Sequence, residues 1–257
     1  MISGCTRMKL SQALALSALF GCHQISQVCE TSSTSDDLKQ AWALPEISPQ
    51  IRIADCQTAG RGQHGRRWQS RPGQSLLFSF SLTDVQNRFP LSMIAGLALY
   101  KTVRRLALHD NSGLWLKWPN DLWLNRGKLA GILCEGCFIK ARQHWVIGIG
   151  INLAPLPGPD FPAASLSELS ACHDPEDILC EFFANFEELL SAEAEGLARE
   201  WSLAASVFWQ TRFLFLGSDQ PDFVGLPLET DADGTLLVKP EHEKSRRLLS
   251  ATLKPLF

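Results

Sequence analysis

The sequence predicts an α+β protein: a mixed-sheet domain with packed helices over 25–212, then a small β domain over 213–257. Three observations predict it. Before residue 212, apolar residues recur with period two in some segments and with period 3.6 in others. Beyond Phe213 the helical period disappears. Short apolar runs are split there by Gly217, Gly225, Pro227 and the Asp231-Ala232-Asp233-Gly234 turn, a segment the size of a small barrel. The 257 residues are 45% hydrophobic and 20% charged, a composition that folds and that excludes a disordered or collagen-like chain.

Residues 1–24 read as an N-terminal extension. An apolar stretch, Ala13 to Phe20, follows Arg7 and Lys9 and precedes Gly21-Cys22. It fits an amphipathic helix ending at Gly21, or a signal peptide with a lipoprotein-type cysteine. Gln12 and Ser17 break the short run, so the helix is the expectation. Residues 26–30 read as a strand, and the hydroxyl-rich stretch 31–37 caps a helix over 36–44 that Pro45 closes. Residues 51–54 form the next strand. Leu76, Phe78, Phe80 and Leu82 alternate with Leu77, Ser79 and Ser81, which predicts a half-buried strand. Pro90 opens a helix through Leu106, with Arg104 and Arg105 at its carbonyl end. Residues 114–117 and 122–124 are strands around a Pro-Asn-Asp turn. Asn125-Arg126-Gly127 signals a hairpin into 128–135, and 145–153 pairs as another strand. After a Pro-rich loop over 155–162, Asp174-Pro175-Glu176-Asp177 starts a helix to about Gly196, and a second covers about 197–211. Phe182, Phe183, Phe186, Leu189 and Leu190 form the core-facing stripe of the first of these helices.

Charge and cysteine content exclude further classes. A net charge of −3, from 24 basic and 27 acidic residues, argues against an extended polyphosphate-binding surface but permits a local basic pocket. A mean hydropathy of −0.03 and the lack of an apolar run of about 18 residues exclude a polytopic membrane protein. Eight irregularly spaced cysteines do not form a disulfide framework and read as thiols of a reducing, cytoplasmic compartment. Cys134-Glu135-Gly136-Cys137 has zinc-like spacing, but only Cys172-His173 stands nearby as a second pair, so no metal site is expected. Arg246-Arg247 reads as a solvated face.

The strongest chemical signal is Gly60-Arg61-Gly62-Gln63-His64-Gly65-Arg66-Arg67-Trp68. Three glycines in six residues cost folding entropy, so the backbone must move or approach a ligand closely. Bare N–H groups beside three arginines suit a phosphate or carboxylate, and Trp68 offers a face to a planar group. A surface loop with solvated arginines is the bland alternative. The nucleotide P-loop spacing is absent, and no helix follows as a dinucleotide fingerprint requires. Lys117-Trp118-Pro119-Asn120-Asp121-Leu122 places a lysine among apolar strand residues, costly to bury without an anion; a strand-end lysine in solvent is the alternative. Residues 128–135 and 146–153 read as central strands with small residues where something packs closely.

Taken in order, Ser33-Thr34-Ser35, Gln57, the Gly/Arg loop, the Lys-Trp-Pro-Asn-Asp-Leu segment, Lys128-Leu129-Ala130-Gly131-Ile132-Leu133 and Gly148-Ile149-Gly150-Ile151-Asn152 resemble the biotin–protein ligase family. The match covers about residues 28–153, and the β tail resembles the family's small SH3-like C-terminal domain more loosely. The resemblance implies a class II synthetase-like catalytic domain that joins biotin and ATP, with Mg²⁺ on the ATP phosphates, into biotinyl-5'-AMP. Transfer to a lysine of a biotin carboxyl-carrier protein, such as the acetyl-CoA carboxylase subunit, follows. Lys117 and Arg61 would be catalytic. Ser33, Thr34, Ser35 and Gln57 would hold the ureido ring, and Gly60, Arg61, Gly62, Gln63 and Lys117 the carboxylate end. Arg61, Arg66, Trp68, Asn120 and Asn152 would contact the nucleotide. Ser35 stands where Asn is common and Gln63 where many members carry Arg, which removes one cation from the loop over the adenylate.

A lipoyl or octanoyl protein ligase shares the implied fold, but the Lys-Trp-Pro-Asn-Asp segment together with the Gly-Arg-Gly loop favours biotin. A biotin-sensing repressor needs a winged helix, and only about 25 residues precede the first matching strand, so no nucleic acid is expected. A non-catalytic biotin binder is the third reading. The expected protein acts off the membrane as a monomer or weak homodimer.

Overall fold

The computed structural model describes residues 24–44, 48–107, 113–155, 162–169, 174–216 and 221–257. The expected N-terminal helix and Cys172-His173 lie outside them. Strands β1 (Gln24–Thr31), β2 (Gln50–Gln57), β3 (Ser75–Thr83), β4 (Leu114–Lys117), β5 (Asp121–Leu124), β6 (Gly127–Ile139) and β7 (Arg142–Asn152) form one sheet in the order β1-β2-β3-β7-β6-β5-β4. β1 and β2 run parallel and the other neighbours antiparallel. The sheet is therefore mixed, as expected.

Strand β3 corrects an expectation: it is buried on both faces, not one. Phe78 and Phe80 pack against Phe182, Phe183 and Phe186 of helix α3 (Pro175–Leu190), with ring centroids 5.1–6.0 Å apart. On the other face, Ser79 lies beneath helix α1 (Thr34–Lys39). Helix α2 (Leu91–Leu106) starts just after Pro90, as expected, and packs against α3 in the same layer.

Helix ends differ from expectation where distant side chains supply the caps. α1 begins at Thr34 rather than Asp36. Ser33 Oγ accepts the Asp36 N–H at 3.3 Å, and Gln57 Oε1 accepts the otherwise orphaned Thr34 N–H at 2.7 Å. α1 stops at Lys39, and a 3₁₀ turn (Gln40–Ala43) follows. α3 stops at Leu190 rather than Gly196, because Asn87 Nδ2 donates to the Leu190 and Ala192 carbonyls at 3.1 and 3.2 Å. α4 (Ala194–Ala204) falls short of residue 211, and Trp209 Nε1 donates back to the Ser202 carbonyl at 2.9 Å. The β6–β7 hairpin is longer than its apolar pattern. Lys140 and Ala141 turn it with φ of 50° and 64°, without the glycine or asparagine that would announce such a turn.

Strands β8 (Phe213–Leu216), β9 (Phe223–Thr230), β10 (Leu236–Pro240), β11 (Arg246–Leu248) and β12 (Thr252–Pro255) make the small antiparallel sheet, in the order β11-β10-β9-β8-β12. Arg246 is not solvated as expected: its guanidinium stacks 3.8 Å from the Phe223 ring centroid. The small sheet is fastened to the large one where Trp118 Nε1 donates to the Gly234 carbonyl at 2.9 Å. Gly234 has φ of 82°, and a Cβ there would lie 2.3 Å from Pro90 Cγ, so both the turn and the contact require glycine. Among the described residues no helix is long and apolar enough to cross a membrane.

Candidate active site

A cavity of about 750 Å³ opens on the α1 side of the large sheet, beneath the Gly/Arg loop and beside the end of β12. Its two ends are built from different chemistry. At one end Ser33, Thr34 and Ser35 project from the start of α1, and Gln57 from the end of β2. Thr34 Oγ1 donates to Gln57 Oε1 at 3.0 Å and lies 2.7 Å from Ser79 Oγ, which is 3.0 Å from Ser35 Oγ. Gly148 makes room for this cluster, since a Cβ there would meet Ser35 Oγ at 2.4 Å.

At the other end Lys117 from β4, Asp121 from β5 and Lys128 from β6 converge. Asp121 Oδ2 lies 3.3 Å from Lys117 Nζ, and Oδ1 2.6 Å from Lys128 Nζ. The β4–β5 turn that aims Lys117 and Asp121 at each other contains a cis Trp118–Pro119 bond. Burial pushes the Lys117 ammonium below the usual lysine range; Asp121 opposes that, while Lys128 and Arg66 add to it. Burial would raise the Asp121 carboxyl, but Lys128 and Lys117 together hold it down at about 2. One carboxylate shared by two lysines leaves this end cationic, which suits an anion.

The Gly/Arg loop is a compact hairpin. Gly62 N–H donates to the Arg66 carbonyl at 2.7 Å, Trp68 N–H to the Gly60 carbonyl at 2.9 Å, and Gly65 turns with φ of 73°. Gly60 must be glycine, because a Cβ there would lie 2.8 Å from the Trp68 carbonyl oxygen. Arg61 is held by carboxylates of its own chain, with Nη2 2.6 Å from Asp36 Oδ1 and 2.9 Å from Glu135 Oε2. Lys39 joins the same two carboxylates at 2.8 and 2.9 Å. Arg66 lines the cavity, whereas Arg67 Nη2 also donates to the Thr58 carbonyl at 3.0 Å. The Trp68 indole lies on the cross-strand pair Gly131 and Gly150. A Cβ at Gly150 would meet its Cε2 at 2.4 Å, and Lys128 Nζ stands 5.6 Å from its ring centroid.

With this geometry in view, the comparisons with known proteins are specific. The model of the biotin/lipoate A/B protein ligase family matches residues 28–152. A biotin–[acetyl-CoA-carboxylase] ligase of Mycobacterium tuberculosis is 32% identical over 234 residues, spanning 84% of this chain and 83% of that protein. The chain belongs to the biotin–protein ligase family. A second such ligase, from Paracoccus denitrificans, is 36% identical over 154 residues, 54% of this chain and 62% of that protein. The fold agrees as well. A biotin protein ligase from Aquifex aeolicus, solved in complex with biotin and ATP, superposes with a TM-score of 0.75 at 24% identity, over 91% of this chain and all of that one.

Within this biotin–protein ligase fold, Ser33, Thr34, Ser35, Gln57, Arg61, Gly62, Gln63, Arg66, Trp68, Lys117 and Asn120 all line the cavity. Asn152 does not. Its Nδ2 donates to the Lys128 and Ala164 carbonyls at 3.2 and 3.0 Å, which fastens the 162–169 segment to the sheet. Gly60 shapes the loop behind the cavity wall. Three further residues complete the site. Lys128 looks in sequence like the polar start of an apolar strand, yet it follows Asp121 by seven residues across a hairpin turn, which returns it to the same carboxylate. Asp121 sits inside the Lys117 motif as that lysine's counterion. Ser79 shares the polar phase of its strand with Ser81, and nothing local marks it as different. Cys134 and Cys137 do not converge, since residues three apart on a strand point to opposite faces; burial and the adjacent Glu135 push the Cys134 thiol well up.

Proposed function

We infer that this chain is an ATP-dependent biotin–[biotin carboxyl-carrier protein] ligase. It activates biotin as biotinyl-5'-AMP and transfers the biotinyl group to a lysine of a carrier such as the acetyl-CoA carboxylase subunit. The observation that carries this reading is one cavity with a neutral, hydroxyl-lined end and a cationic end. Biotin has the same polarity, a hydrogen-bonding ring at one end and a carboxylate at the other.

The ring rests against Ser33, Thr34, Ser35 and Gln57, and the carboxylate points toward Lys117 and Lys128. A carboxylate oxygen attacks the α-phosphorus of ATP, whose phosphates carry Mg²⁺, and pyrophosphate leaves. Positioning and charge stabilisation supply the catalysis, and Lys117, Lys128 and Arg66 provide the positive charge. Trp68 offers its face to the adenine, and Asn120 flanks the nucleotide. Arg61, Gly62 and Gln63 close the loop over the mixed anhydride and exclude water. A neutral carrier lysine amine then attacks the acyl carbon; the amide forms and AMP leaves with the electron pair. Gln63 brings no charge to this loop, so adenylate retention rests on Arg61 and Arg66.

Residues 25–212 form the catalytic domain and 213–257 the C-terminal domain, whose Lys254 and Phe257 reach the cavity. The protein works in the cytoplasm as a monomer or weak homodimer and binds no nucleic acid. Incubation with ATP, Mg²⁺ and either biotin or lipoate, followed by hydroxylamine trapping, tests the reading. Biotinyl hydroxamate is the expected product; lipoyl hydroxamate, or none, defeats it.

A further inference from the structure

The hydroxyl end of the cavity has a hydrogen-bond direction that follows from counting protons. The group 2.7 Å from the Thr34 backbone N–H must be an acceptor, so the Gln57 oxygen, not its nitrogen, faces α1. That oxygen cannot donate, so the Thr34 hydroxyl 3.0 Å away must give its single proton to it. Thr34 Oγ1 can then only accept from Ser79 Oγ at 2.7 Å. The Ser79 proton is spent in turn, so the 3.0 Å contact with Ser35 requires Ser35 to donate. The chain runs from Ser35 through Ser79 and Thr34 to Gln57. Every hydroxyl in it is buried, and Ser79 is fully enclosed, so no solvent competes for the bonds at its centre.

We propose that Ser79 is a positioning residue that sets ligand specificity by fixing Ser35 as a hydrogen-bond acceptor toward the cavity. The same count gives the rest of the wall. Gln57 Oε1 already accepts two bonds, which leaves Nε2 as the donor it can offer. Ser33 Oγ accepts the Asp36 N–H at 3.3 Å and keeps its own proton to give. The wall thus presents an acceptor at Ser35 and donors at Ser33 and Gln57. A ring displaying both a carbonyl oxygen and an N–H satisfies all three, as a cyclic urea does. A dithiolane or an alkyl chain satisfies none and leaves buried polar groups unpaired. This inference rests on the biotin reading above and assigns the discrimination to a residue that does not itself face the ligand.

The test uses the full chain in the hydroxamate assay, with biotin and with octanoate as a carboxylic acid lacking N–H. Ser79→Ala releases the Ser35 proton and deprives Thr34 of its donor. The expected result is a biotin KM raised about tenfold or more, with the ATP KM and the kcat at saturating biotin within about threefold of wild type. Discrimination between biotin and octanoate falls by the same factor. Because Ser79 acts through Ser35, Ser79→Ala adds little to Ser35→Ala in a double-mutant cycle. Ser79→Cys keeps the shape with a weaker donor and gives an intermediate biotin KM, which covers the case in which the alanine variant does not fold. An unchanged biotin KM in the variants, or fully additive effects in the cycle, overturns the proposal. Failure of the wild-type protein to form any biotinyl hydroxamate overturns the biotin reading instead, so the two failures are distinct.

Discussion

The two ends of the cavity handle polarity in opposite ways. The hydroxyl end uses neutral groups, each with a partner, and carries no charge on Ser33, Thr34, Ser35, Gln57 or Ser79. The cationic end buries two ammonium groups on one carboxylate. Neutral hydrogen bonds cost little when satisfied and read the direction of a donor. Buried charges are expensive and act where charge develops in a reaction. Under the proposed function the first end recognises the ring and the second carries the chemistry, so pH and charge substitutions should register mainly at the second.

The most damaging single change at the cationic end is Asp121→Asn. It leaves Lys117 and Lys128 facing each other without a counterion, and removing one partner of a buried ion pair costs about 3–5 kcal/mol. The unfolding free energy in urea should fall accordingly; a value within about 1 kcal/mol of wild type would show that the lysines are solvated after all. Lys117→Ala comes next. Asp121 keeps Lys128 as partner, so the fold survives, while pyrophosphate exchange should drop by about 10²–10³, the usual loss for one preorganised charge-stabilising group. Undiminished exchange in the folded variant removes Lys117 from the chemistry.

Acid titration separates the ends more gently. The Asp121 carboxyl is held at about 2, below its ordinary 3.8. A depressed folded pKa means that the unfolded chain binds the proton first. The stabilisation is therefore present above about pH 4 and is lost as pH falls toward 2, by about 2 kcal/mol in all. Stability measured against urea from pH 5 to pH 2 should show this slope in the wild type and lose that part of it in Asp121→Asn. Ser79→Ala, at the neutral end, should keep the slope intact.

How much of this was legible in the sequence follows the same division between local and distant causes. Strand order aside, the mixed sheet could be read because alternation and helical period are local. Lys117 was visible as a charge in an apolar strand. Lys128 was not, because its meaning depends on a hairpin turn bringing it back to Asp121. Ser79 looked like the wet side of a half-buried strand and became the buried centre of a hydrogen-bond chain once α1 covered it. The ends of α3 and α4 depart from the local pattern for the same reason: Asn87 and Trp209 reach carbonyls that no local rule connects to them. Asn152 has the right residue type in the right motif, yet its amide is taken up by the Lys128 and Ala164 carbonyls instead of lining the cavity.

The smallest expected effect on stability concerns the contact that joins the two ends. Arg61 lies on the Gly/Arg loop, and its carboxylate partners sit on α1, just after the hydroxyl end, and on β6, the strand that carries Lys128. Arg61 is 39% exposed and Asp36 43%, so water screens the pair and Arg61→Ala should lower the unfolding free energy in urea by less than about 1 kcal/mol. The loop, however, contributes little to the core, and this contact with Lys39 beside it ties the hairpin to the rest of the site. Releasing it should speed tryptic cleavage after Arg66 and Arg67 and raise the rate at which biotinyl-5'-AMP is lost to water. Salt of about 0.5 M should reproduce part of both effects in the wild type, because exposed ion pairs weaken with ionic strength. Equal cleavage and equal adenylate lifetimes in wild type and Arg61→Ala would mean that the backbone hydrogen bonds of Gly62 and Trp68 hold the loop without the latch, and that the two ends are joined only by the sheet beneath them.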